Sequence, residues 1–97
     1  MTLDEAVRQL DTLDENAILC ARPPWTPLSE CVIALPDEDL GVPRHVKDAG
    51  LAYFLEVHVA HEVLRVFGDK PATHEERVRL LIYYAENDAY PAWVYQG

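Results

Sequence analysis

Proline placement constrains this chain more than any other feature. Proline fixes φ, removes a backbone donor and pushes its predecessor out of helical geometry. Arg22-Pro23-Pro24 stops the apolar run Ala17-Ile18-Leu19-Cys20-Ala21, and Pro36 stops Cys31-Val32-Ile33-Ala34-Leu35. Runs this short, closed by breakers, read as strands. The link between them, Arg22 to Glu30, carries three prolines around Trp25, so it must be extended or turned. Trp25 is then either a lid over the sheet or an exposed anchor. A third apolar run, Leu51-Ala52-Tyr53-Phe54-Leu55, follows Asp48-Ala49-Gly50. It fits a strand better than the first turns of the next helix.

Helices occupy the rest. Thr2 and Glu5 have capping-box spacing. Leu3, Ala6, Val7, Leu10 and Leu13 then recur at helical intervals, predicting a helix over 3–13. Glu56 to Phe67 meets no breaker before Gly68, which suits a helix C-terminus. On a helical wheel, His58, His61, Glu62 and Arg65 fall on one narrow strip and the remainder is apolar. Thr73 and Glu76 form a second capping-box pair ahead of the stripe Val78, Leu81, Ile82 and Ala85. That helix should end near Asn87-Asp88, because Pro91 cannot continue it. The aromatic tail, Tyr90 to Tyr95, reads as extended. Together these elements predict an α+β domain spanning 1–97: an N-terminal helix, a small antiparallel sheet of two to three strands, and two C-terminal helices packed on it.

Charge narrows the function. Eight Lys and Arg face 17 Asp and Glu, a formal charge of −9. Affinity for a phosphate backbone rests on cationic neutralisation, so direct nucleic-acid binding is not expected. A charged partner should be basic. Residues 1–40 carry nine acids and two bases, residues 41–82 carry six of each, and the tail adds Glu86 and Asp88. No apolar run approaches the ~20 residues of a membrane span, so no membrane role is expected. The polar, acidic start, Met1-Thr2-Leu3-Asp4-Glu5, is unlike a secretory signal and points to the cytoplasm. There Cys20 and Cys31 would stay reduced, although two strands could also bring them face to face as a disulfide.

Catalytic and metal signatures are weak. His58-Val59-Ala60-His61-Glu62 has its histidines at i and i+3 with the glutamate outside them. A zinc-protease helix needs i and i+4 with the glutamate between. Ser29 is the only serine and has no nucleophile-elbow motif around it. The two thiols sit in apolar strands, where the thiolate is disfavoured. Four isolated glycines make no phosphate loop. The expectation is a binding protein with no enzyme activity, no cofactor and no metal.

Two acidic sites stand out. Asp37-Glu38-Asp39 places three carboxylates on a turn directly after Pro36. Tyr83, Glu86, Asp88 and Tyr90 mix aromatic and acidic groups where the last helix ends, and carboxylates there oppose the helix dipole. These residues could simply be hydrated. As an interface, the aromatic rings would supply contact area and the acids would steer a basic partner.

Tyr83-Tyr84, Asn87-Asp88-Ala89 and Tyr90 also match a late-helix signature, Tyr-Tyr-x-x-Asn-Asp-Ala-aromatic. With the leading helix and the Trp25 loop, they make the sequence resemble small bacterial immunity proteins of the contact-dependent growth inhibition type. The resemblance implies a protein that binds one cognate toxin domain, expected to be a basic nuclease, and blocks its active site. The alternatives are an acidic adaptor or regulatory domain for a basic protein, and a small metal-dependent enzyme using His58 and His61.

Overall fold

The computed structural model describes residues 1–38 and 41–95. Helix α1 covers Leu3–Arg8 and is followed by a 3-10 turn at Leu10–Thr12. Strands β1 (Ile18–Ala21) and β2 (Cys31–Ala34) come next, then the short helix α2 (Arg44–Asp48) and strand β3 (Ala52–Glu56). Helix α3 runs Val57–Leu64 and tightens into a 3-10 turn at Arg65–Phe67. Helix α4 spans His74–Asn87, and Ala92–Tyr95 forms a last 3-10 turn. The chain is α+β, as its sequence predicts.

Both predicted capping boxes form. The Thr2 hydroxyl accepts from the Glu5 N–H while the Glu5 carboxylate accepts from the Thr2 N–H, and Thr73 and Glu76 repeat the arrangement. Helix α1 is shorter than its apolar stripe suggests. The backbone leaves helical geometry at Gln9, whose carbonyl accepts from the Thr12 hydroxyl at 2.7 Å. A threonine bonding back in this way offers the chain a tighter turn in place of more α-helix. Leu10 still reaches the core. At the other end of the molecule, Gly68 closes the α3 unit at φ +57°, a conformation that side chains with Cβ resist.

The sheet has the order β2-β1-β3, antiparallel throughout. All four residues of β1 are buried, which explains its unbroken apolar run. Leu19 and Ala21 face the main core, built with α1, α3 and α4. Ile18 and Cys20 face the opposite side, where Val42, Val46 and Leu51 cover them. Helix α2 therefore roofs the second face of the sheet, a role that sequence periodicity did not reveal. Strict alternation on β3 would send Phe54 and Leu55 to opposite faces. A bulge prevents this: Leu19 pairs with Leu55 and Cys20 with Tyr53, leaving Phe54 as the extra residue. Both Phe54 and Leu55 join the main core, and Tyr53 is left on the outer side.

Trp25 acts as the lid. Its ring meets Phe54 edge-on with centroids 5.0 Å apart, and its indole N–H donates to the Ala21 carbonyl at 3.1 Å. That bond satisfies the last carbonyl of β1 while the ring covers the end of the core. The cysteines lie on opposite faces of the sheet, Cys31 in the main core and Cys20 in the smaller cluster. Both are free thiols, so the disulfide alternative does not hold. The tail also departs from expectation. It coils into a 3-10 turn that buries Val94 and sets Trp93 beside Phe67, with centroids 6.3 Å apart. Among the described residues, no helix is long and apolar enough to cross a membrane.

Candidate acidic and aromatic interface

The structure places the two predicted acidic sites in different local settings. Asp37 and Glu38 lie exposed on the loop between β2 and α2, and Asp39 falls outside the described residues. The loop is closed by its own polar groups. Asp37 Oδ1 accepts from the Gly41 N–H at 2.9 Å, and the Asp37 N–H donates to the Gly41 carbonyl at 3.1 Å. One carboxylate of the set thus has a structural role, and Glu38 stands out in solvent.

At the end of α4, Asp88 adopts the left-handed conformation, φ 53° and ψ 37°, and its N–H donates to the Tyr84 carbonyl at 2.7 Å. This is the C-terminal cap of the helix, a position where glycine or asparagine is the usual choice. The Asn87 side-chain amide donates to the Tyr83 carbonyl at 2.9 Å. Asn87 and Asp88 therefore terminate α4, which accounts structurally for two residues of the Asn-Asp-Ala signature. Glu86 projects into solvent.

The turn made by these caps sends Tyr90 back toward α4. Its ring packs on Tyr84 at 5.3 Å between centroids and on Tyr95 at 6.5 Å. Partial burial among these rings pushes the Tyr90 phenol up, helped by Tyr84, Tyr95 and the Glu62 carboxylate. Burial likewise pushes up Tyr53 on β3, with Glu56 adding to it. The Tyr84 phenol adds to the rise at Tyr53. Tyr53, Tyr83, Tyr90 and Tyr95 remain 37% to 64% exposed. Tyr84, Tyr90 and Tyr95 form an aromatic band with Glu62 beside it, and Tyr53, next to Glu56, lies near Tyr84. Pro36, just before the Asp37 loop, lines one cleft with Asn16, Ile18 and Glu56.

Of the residues singled out from sequence, Tyr90 belongs to this surface, while Tyr83, Glu86 and Asp88 are exposed along the end of α4. Tyr53, Glu56, Glu62 and Tyr95 belong to it as well; the sequence marks Glu62 only as part of the histidine strip and the others not at all. They come from β3, α3 and the tail, and only the fold assembles them. The two histidines of the strip meet different carboxylates: His58 Nε2 lies 3.4 Å from Glu56, and His61 Nδ1 lies 3.7 Å from Asp11. Among the described residues, no three His, Cys, Asp or Glu side chains gather as a metal site. Burial drives the Cys31 thiol up to about 12, far from the range of a nucleophilic thiolate.

Comparison with family models, with curated proteins and with solved structures finds no significant match.

Proposed function

We propose that this chain is an immunity protein that binds a cognate toxin domain, expected to be a basic nuclease, and neutralises it by covering its active site. The reading is non-enzymatic. The observation that carries it is the group of half-exposed tyrosines, Tyr53, Tyr90 and Tyr95, with Glu56 and Glu62 beside them, in a molecule of net charge −9. Tyrosine supplies large contact area with little conformational entropy to lose, and interface hot spots favour it. The surrounding acids complement a basic cleft and accelerate encounter. The late-helix resemblance to contact-dependent growth inhibition immunity proteins supports the same reading, although Asn87 and Asp88 within it have a capping role.

The test is protection. Cells producing the toxin domain encoded beside this chain should survive only when the chain is co-expressed, and the purified pair should form a stable complex with the toxin's activity suppressed. Binding without suppression would identify the acidic adaptor instead. Failure to bind or to protect would overturn the proposal.

A further inference from the structure

The cations are distributed very differently from the acids. Among the described residues, Arg8, Arg22 and Arg44 sit on carboxylates, and Arg79 lies over the Trp93 ring at 4.6 Å. Lys47 on α2 makes no such pair among the described residues, and neither do Arg65, Lys70 and Arg77, although carboxylates outnumber cations 17 to 8 in the chain. All three line one cleft of about 340 Å³ between the 3-10 turn after α1, the C-terminal end of α3 and the first turn of α4. Its apolar side is Leu64 and Phe67. Asp11 and Glu15 reach it from the α1 side, where Asp11 engages His61. Within the cleft the cations outnumber the carboxylates, the reverse of the molecule as a whole.

We propose that this cleft is an oxyanion site that takes a phosphate or phosphomonoester group, with Arg65, Lys70 and Arg77 as its ligands. Three cations against two carboxylates leave the cleft with an excess of positive charge, and a bound anion relieves the repulsion among them. Two guanidinium groups offer planar pairs of N–H donors, and Lys70 adds a mobile ammonium. That set suits the several acceptor oxygens of a phosphoryl group better than a single carboxylate. The site is separate from the acidic and aromatic interface, so it stands or falls independently of the toxin-binding reading.

The test is an amide-shift titration of the full chain with sodium phosphate, against sodium chloride at matched ionic strength. Phosphate should produce saturable shifts at residues 61–77 that chloride does not. Arg65→Gln and Arg77→Gln should each weaken binding at least fivefold, and Lys70→Gln, on the solvent side of a turn, gives a third variant should either arginine variant misfold. Arg44→Gln removes the same charge elsewhere and should leave binding unchanged. A parallel titration with glycerol 3-phosphate separates the sources. Tighter binding than inorganic phosphate identifies a phosphorylated small molecule, and equal or weaker binding identifies free phosphate. Shifts that follow ionic strength alone, or affinity that Arg65→Gln and Arg77→Gln leave intact, would overturn the proposal.

Discussion

Asp4 holds two partners at once. Its carboxylate meets Arg8 one turn along α1 at 3.2 Å and His74 at the start of α4 at 2.9 Å, joining the first and last helices. Partial desolvation pulls its pKa up, but the hydrogen bonds from Arg8 and His74 outweigh it, and the group rests below its usual 3.8. A carboxyl held low in the fold stabilises it once ionised, and the contribution fades as pH falls through the folded value. Asp4→Asn should therefore lower the urea midpoint at neutral pH. The gap to wild type should close as pH falls below about 4, which paired denaturation curves from pH 7 to pH 2.5 will check. Trp25 allows a cleaner division of forces. Trp25→Phe keeps the edge-on contact with Phe54 but loses the bond to the Ala21 carbonyl, for a cost of about 1 kcal/mol. Trp25→Ala also opens a hole over the core and should cost about 3 kcal/mol, the low end for an aromatic truncation because the ring is only half-buried. Equal losses in the two variants would mean that the lid contributes nothing by packing.

At the scale of elements, the end of α4 is where structure and proposed function compete for the same residues. The left-handed cap at Asp88 costs a residue with a Cβ about 1 kcal/mol or more, and glycine escapes that cost. Asp88→Gly should thus leave thermal stability unchanged or slightly raised while removing one carboxylate from the interface. If toxin affinity falls in this variant, the carboxylate itself is used; if affinity holds, Asp88 is a cap and nothing more. The same helix shows what a sequence discloses. The capping boxes at Thr2 and Thr73 were legible because a cap is a local pattern, complete within four residues. The β1 run was legible because a strand buried on both faces needs apolar residues throughout. Helix α2 was not, since five residues with Val46 as their one buried side chain form no periodic stripe. The β3 bulge was not either: Phe54 and Leu55 share a face through their register with β1, and register is a relation between distant segments. For the same reason Tyr83 and Tyr90 could be named as interface residues from the sequence, while Tyr53 and Glu56 could not.

For the whole molecule, the charge of −9 creates two effects that experiment can separate. A long-range field attracts a basic partner from any position on the surface, and salt screens it over ~8 Å at physiological ionic strength. Direct contact depends on which carboxylates touch the partner. Long-range steering acts on the association rate, whereas truncating a buried, paired charge acts on dissociation and costs about 2–5 kcal/mol. Three variants of matched charge distinguish them. Glu62→Gln with Glu86→Gln neutralises one acid beside Tyr90 and one on the last turn of α4. Asp37→Asn with Glu38→Gln neutralises the loop after β2. Asp11→Asn with Glu75→Gln removes two exposed acids from the first 3-10 turn and the start of α4. All three lose two negative charges, so all three should slow association by a similar factor at low salt and converge as salt rises. Only a set that lies in the interface should also speed dissociation. The expected outcome is at least tenfold faster dissociation for the Glu62 and Glu86 pair and none for Asp11 and Glu75. The Asp37 and Glu38 pair should fall between, because Asp37 already serves its own loop through Gly41. Stopped-flow mixing gives the association rates and surface-bound toxin gives the dissociation rates. Faster dissociation confined to the Asp11 and Glu75 variant would move the interface to the surface around those two residues, away from the tyrosines. Equal dissociation in all three would leave the charge as a steering field alone, with affinity resting on the exposed rings.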